Sequence, residues 1–143
     1  VADVNGDGRL DVVTANTKHN FTTKLQTNNE VSVLLGNGNG TFQVEQQRFA
    51  VGVNPQSVAV ADVNGDGWLD VVTANTYSAF SRNNSDDVSV LLGNGDGTFQ
   101  AQQRFVVGGS PFSVAVADVN GDGWLDVLTA NIGSNDVAVL LHQ

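Results

Sequence analysis

Oxygen-bearing side chains recur at one fixed spacing three times in this chain. Asp3, Asn5, Asp7 and Asp11 occupy positions 1, 3, 5 and 9 of the stretch Asp3-Val4-Asn5-Gly6-Asp7-Gly8-Arg9-Leu10-Asp11. The stretch returns with Asp62, Asn64, Asp66 and Asp70, and again with Asp118, Asn120, Asp122 and Asp126. Carboxylate and amide oxygens are the ligands of hard divalent cations, and Ca²⁺ takes about six to eight of them in flexible geometry. The glycines at positions 4 and 6 let the backbone coil round an ion. Each loop is therefore predicted to bind one Ca²⁺ through its four side chains and one backbone carbonyl, that of Arg9, Trp68 or Trp124. The last aspartate of each loop is the expected bidentate ligand. Three carboxylates favour Ca²⁺ over Mg²⁺, which keeps its own waters. With no His or Cys in the loops, Zn²⁺ and Cu²⁺ are disfavoured. The competing reading is a metal-free Asp/Asn/Gly turn; three intact copies at equivalent positions favour the ion.

The charge balance agrees. The chain of 143 residues has a formal net charge of -9, and nine of its 15 acidic residues lie in these loops. Three divalent ions would offset roughly two thirds of that charge, so the acidity reads as cation sites rather than as an acidic tail. It also argues against nucleic acid as a partner. No apolar run approaches the length of a membrane-spanning helix. The absence of Cys removes disulfides and thiol chemistry.

The elements that must position the loops are themselves repeated. Asp3 and Asp62 are 59 residues apart, and Asp62 and Asp118 are 56 apart. Val31-Ser32-Val33-Leu34-Leu35-Gly36 returns as Val88-Ser89-Val90-Leu91-Leu92-Gly93, and Gln46-Gln47-Arg48-Phe49 as Gln102-Gln103-Arg104-Phe105. The middle unit reads as four strands: A over Ser57–Asp62, B over Leu69–Ala74, C over Val88–Leu92 and D over Phe99–Val107. Val, Thr and Phe enrichment marks the strands, and Gly/Asn clusters mark the turns. No segment sustains a 3.6-residue period, so no helix is expected. Four antiparallel strands per unit of this length form a β-propeller blade. The fold class is thus all-β, with about three blades: residues 1–52, 53–109 and 110–143, the last lacking its final strand. A ring takes about four to eight blades. The expectation is an incomplete ring, closed either by further blades of a longer protein or by other copies of the chain.

The loop's opening matches the EF-hand pattern Asp-x-[Asp/Asn]-x-[Asp/Asn]-Gly, but the flanks are strands, and Thr14, Thr73 or Thr129 stands where that motif needs Glu. The whole unit resembles the FG-GAP/VCBS repeats of integrin α-subunit propellers and their bacterial relatives. The resemblance is carried by the Asp-x-Asn-Gly-Asp-Gly-x-x-Asp loop between strands A and B and by the turn Gly93-Asn94-Gly95-Asp96-Gly97-Thr98-Phe99. It implies Ca²⁺ in all three loops and an extracellular or cell-surface location.

Recognition is expected at the opposite end of the blades, in the B–C connections 16–30 and 75–87. These carry His19, Phe21, Tyr77, Phe80 and Arg82. Long loops on a rigid scaffold are common carriers of binding. Asn20, Asn39 and Asn83 begin glycosylation acceptor triplets. No nucleophile–base arrangement is visible, and the clustered carboxylates are assigned to calcium. The expectation is a non-enzymatic extracellular module for adhesion or for recognition of glycans or proteins, with structural calcium. Two alternatives stand beside it: a self-assembling filament or sheath completed by neighbouring copies, and a non-catalytic targeting domain of a larger enzyme.

Overall fold

The computed structural model describes residues 1–20, 25–44, 46–76 and 86–142, with backbone alone at 18–20 and 25–28. Among these residues there is no helix, and ten strands form three antiparallel sheets. The first sheet is β1 (Val12–Asn20), β2 (Leu25–Leu34) and β3 (Gln47–Ala50), in that order. The second is β4 (Pro55–Ala61), β5 (Asp70–Asn75), β6 (Asp87–Leu91) and β7 (Gln103–Val106). The third is β8 (Pro111–Ala117), β9 (Asp126–Asn131) and β10 (Asp136–Leu140). Each is a meander whose neighbours in sequence pair in space, the pattern of a propeller blade, and no sheet closes into a barrel. An isolated bridge between Ala2 and Asp11 marks the end of an A-type strand ahead of β1.

The blades stack face to face. The alternation of each strand puts one set of side chains on each face. Val13, Val31, Val33 and Leu35 of the first blade meet Val71 and Leu91 of the second in one buried cluster, with Val58 and Val60 against it. Val72, Ala74, Val88 and Val90, on the second blade's other face, meet Val114 and Val127 of the third. This explains why β5 and β6 are buried along their whole length. A fully buried valine contributes roughly 1.5–3 kcal/mol relative to an exposed one. The small Ala59 and Ala61 of β4 allow β8 to approach.

Two expectations are corrected. Residues 16–20 and 25–30 of the first blade are strand rather than loop: β1 and β2 stay paired from Val12↔Leu34 out to Asn20↔Leu25. Thr17 continues the extended ladder opposite Asn29, so polar residues prolong the hairpin beyond the blade. Strand D is also shorter than 99–107. Phe99 bridges Gly93, and regular pairing resumes only at Gln103 opposite Val90. Three residues on one strand face two on the other, which is the signature of a bulge.

Candidate metal-binding loops

The three Asp-x-Asn-Gly-Asp-Gly loops join the innermost strand of each blade to the next and share one backbone conformation. Gly6 and Gly8 have φ of 70° and 81°, Gly65 and Gly67 of 74° and 90°, and Gly121 and Gly123 of 79° and 88°. Two left-handed residues within three positions wrap the chain on itself, a path that only glycine takes without strain. The side-chain oxygens of positions 1, 3 and 5 turn to the inside of this wrap. In the middle loop the Asp66 N–H donates to both Asp62 Oδ1 (3.2 Å) and Asn64 Oδ1 (3.0 Å), and Gly67 N–H donates to Asp62 Oδ2 at 2.8 Å. Asn64 Nδ2 donates to Asp66 Oδ2 at 2.8 Å. The first loop repeats this with Asp3, Asn5 and Asp7. The third does so with Asp118, Asn120 and Asp122, except that Asp118 Oδ1 accepts the Gly121 N–H. Among the described residues no set of three or more Asp, Glu, His or Cys side chains is gathered tightly enough to hold an ion. The oxygens instead accept the loop's own amides. By type the donors fit a hard cation: they are carboxylate and amide oxygens, without nitrogen or sulfur.

The aspartate at position 9 sits differently. Asp11, Asp70 and Asp126 are fully buried. Asp70 Oδ2 accepts the Val63 N–H at 2.9 Å, and Oδ1 accepts the Gly93 N–H at 2.8 Å. Asp11 does the same with Val4 and Gly36, and Asp126 with Val119 and His142. One carboxylate thus ties the A–B loop to a residue just past strand C in every blade: Gly36, Gly93 or His142. Burial pushes the Asp70 carboxyl up from its ordinary pKa, against the downward pull of the Gly93 and Val63 amides. Asp118, on the exposed rim of its loop, is instead held below its ordinary value by the Gly123 and Gly121 amides.

Position 7 carries a second unforeseen role. Its N–H donates to the Asp at position 5, 2.9 Å for Arg9 and 2.8 Å for both Trp68 and Trp124. Its side chain lies over neighbouring glycines: Trp68 over Gly95 of its own blade and Trp124 over Gly65 of the preceding loop. The Trp124 ring also stacks on His142, with centroids 4.8 Å apart. Adjacent loops are therefore in contact, and a tryptophan reports on them. The change from Arg9 to Trp68 and Trp124 was the sequence signal for this packing.

The opposite end of the blades holds a polar network that spacing alone did not reveal. Asn75, buried, donates to Asp87 Oδ1 (2.8 Å) and to Ser89 Oγ (2.9 Å), and Arg104 pairs with Asp87. The Gly52 N–H donates to Ser89 Oγ at 2.9 Å, which fastens the linker between the first two blades. The recurrence of Asn16, Asn75 and Asn131 was its trace in the sequence. Of the residues predicted for recognition or glycosylation, His19 and Asn20 lie in β1. Phe21, Tyr77, Phe80, Arg82 and Asn83 lie outside the described residues. Asn39 is exposed in the first blade's C–D turn, where its Oδ1 accepts the Thr41 N–H at 3.0 Å.

A family model described as FG-GAP-like repeat matches residues 3–73 and 77–129, most of the chain. The chain belongs to the FG-GAP-like repeat family. The matched spans take in all three Asp-rich loops, two in the first span and one in the second. A search of curated proteins returned no match. FG-GAP repeats form non-enzymatic modules and typically occur in extracellular proteins.

Proposed function

We propose that this FG-GAP chain is a calcium-binding module of extracellular recognition, in which the ions hold the blades in shape. The observation that carries the reading is the threefold repetition of one loop conformation with inward-turned oxygens of the same hard-donor set. Asp62, Asn64 and Asp66 would hold the ion in the middle loop with the Trp68 carbonyl, and the corresponding residues in the other two. Asp70, Asp11 and Asp126 close each loop, and every one of their oxygens retains capacity for a second partner. A bound cation would neutralise clustered carboxylates and rigidify the end of the blade where neighbouring loops touch. Family membership supports a non-enzymatic role at the cell surface or outside the cell, in adhesion or in binding glycans or proteins. Isothermal titration of chelator-treated protein with Ca²⁺ tests the reading. Three equivalents of binding support it, and a flat titration at millimolar calcium refutes it.

A further inference from the structure

Six Asn-Gly pairs occur in the chain, beginning at Asn5, Asn37, Asn39, Asn64, Asn94 and Asn120. Such a pair is open to spontaneous loss of ammonia, because glycine puts no side chain in the way of its own nitrogen. The glycine nitrogen attacks Cγ of the asparagine and the Cγ–Nδ2 bond breaks. Ammonia leaves with the proton of the glycine amide, and a succinimide ring remains. Water then opens the ring, at Cγ to give aspartate or at the main-chain carbonyl to give isoaspartate. Since all six pairs carry the same two residues, differences in their reactivity within the folded chain come from structure.

The asparagines of the Asp-rich loops are held at both ends of the amide. Asn64 Oδ1 accepts the Asp66 N–H at 3.0 Å, and its Nδ2 donates to Asp66 Oδ2 at 2.8 Å. The Gly65 N–H, whose nitrogen would be the nucleophile, donates to Asp62 Oδ1 at 2.7 Å. Asn120 and Gly121 make the same three bonds, and Asn5 makes the two of its amide. Negative charge developing on such an Oδ1 is also opposed by the carboxylates around it. In the C–D turns, Asn37 and Asn94 are tied through Nδ2, which donates to the hydroxyls of Thr41 and Thr98, both at 2.9 Å.

Asn39 differs from the other five. It is exposed, and among the described residues nothing accepts a hydrogen bond from its Nδ2. Its Oδ1 accepts both the Thr41 N–H at 3.0 Å and the Thr41 hydroxyl at 2.6 Å. Two donors on that oxygen are the arrangement that stabilises an oxyanion, and the leaving nitrogen is free to depart. A methyl group on Gly40 would meet no heavy atom within 4 Å, so the attacking nitrogen is open to water and base. The second blade displays the product. Asp96 stands at the equivalent position and accepts the Thr98 N–H at 2.9 Å and the Thr98 hydroxyl at 2.5 Å. The same backbone bond closes both turns, Asn37 N–H to Thr41 O at 2.9 Å and Asn94 N–H to Thr98 O at 3.0 Å.

We propose that Asn39 is a site of intrinsic deamidation, at which the first blade's turn converts from Asn-Gly-Thr to the Asp-Gly-Thr that the second blade encodes. Thr41 promotes the step by holding Oδ1 with two donors. The product carboxylate adds a negative charge to the turn against which the Arg9 side chain lies. A glycan on Asn39 would occupy the same nitrogen and block the reaction. The proposal rests on the turn and not on bound calcium.

The test is incubation of unglycosylated protein at mildly alkaline pH, followed by tandem mass spectrometry that separates Asn37 from Asn39. Conversion at Asn39 should lead that at Asn64 and Asn120 by at least about tenfold, the rate ratio for roughly 1.4 kcal/mol of barrier. Thr41→Val removes the hydroxyl donor and should slow Asn39 by about tenfold or more, whereas Thr41→Ser should keep the parent rate. In urea, with the turn lost, the six rates should converge. Asn39→Asp should melt close to the parent, since the turn already accepts aspartate in the second blade. Conversion at Asn64 or Asn120 as early as at Asn39 overturns the proposal. So does an unreactive Asn39 in the folded chain, or an equal rate in Thr41→Val. The ranking within the parent chain keeps the test decisive even if Thr41→Val disturbs the turn.

Discussion

Trp124 of the third loop lies against Gly65 of the second, so closely that a methyl group on Gly65 would fall 2.2 Å from Cζ3 of the indole. The corresponding distance from Gly6 to Trp68 Cζ3 is 3.8 Å, and Gly121 has no heavy atom within 4 Å. The three glycines share nearly the same positive φ, 70°, 74° and 79° for Gly6, Gly65 and Gly121. Alanine at any of them incurs the left-handed cost of about 1–2 kcal/mol. Only Gly65→Ala adds a collision, worth about 1–3 kcal/mol more if the ring stays and the loss of its packing if it swings out. Thermal unfolding of the three variants should therefore rank Gly65→Ala well below the other two. Equal losses in all three would mean that the loops do not press on one another.

The clamp role of Asp70 separates it from the rest of its loop. Asp70→Ala leaves the buried amides of Val63 and Gly93 without acceptors, a loss of about 2–5 kcal/mol. Asp66 is exposed, and its bonds from the Trp68 N–H and Asn64 Nδ2 are at the surface where water can replace them, so Asp66→Ala should cost under about 1 kcal/mol. Urea unfolding in chelator, where no ion contributes, makes the comparison clean. Similar losses for the two variants would contradict the clamp.

The contrast between Asp66 and Asp70 also shows where sequence reading reached its limit. Spacing placed both on one loop and suggested one chemistry for both. It could not show that Gly93, 23 residues on, delivers its N–H to Asp70, because that contact depends on blade closure. The blades themselves were legible, since Val71 and Val72 must each find a buried partner on opposite faces. The pairing of residues 16–20 with 25–30 was not, because their polar composition reads as loop while their backbones partner each other. The bulge after Phe99 was equally silent: Gln100-Ala101-Gln102 reads as uninterrupted strand.

Acid should expose the network at the end of the blades away from the Asp-rich loops. The Asp136 carboxyl is held below its ordinary pKa by the Asn131 side-chain amide and then by the Ser134 hydroxyl. At the other end, in the turn beside the Asp-rich loops, Asp96 is lowered by the Thr98 hydroxyl and amide. A carboxylate depressed in the folded state contributes stability that is present above its unfolded pKa and lost as pH falls through the folded one. Asp70 acts in the opposite sense: its raised pKa means that the fold is relieved, not weakened, as it takes up a proton. Carboxyl NMR titration should show Asp136 and Asp96 with midpoints below the ordinary aspartate value and Asp70 above it. Asp136→Asn should flatten the acid limb of the stability profile. An unchanged limb would remove Asp136 from the account.

Calcium should act through the native state alone, which makes its effect calculable. An ion at about 100 times its dissociation constant adds roughly 2.7 kcal/mol per site. Chelation should therefore lower the melting temperature, and calcium should restore it. Because the Trp68 and Trp124 backbone N–H groups donate to Asp66 and Asp122 and their indoles lie over loop and turn glycines, their fluorescence should change along the same titration. Asp66→Ala should reduce the stoichiometry from three to two while leaving the chelated protein nearly as stable as the parent. That pairing distinguishes loss of a ligand from loss of structure, which Asp70→Ala would confound. A melting temperature indifferent to chelator, with unaltered tryptophan emission, would leave the three loops as metal-free turns held by their own amides.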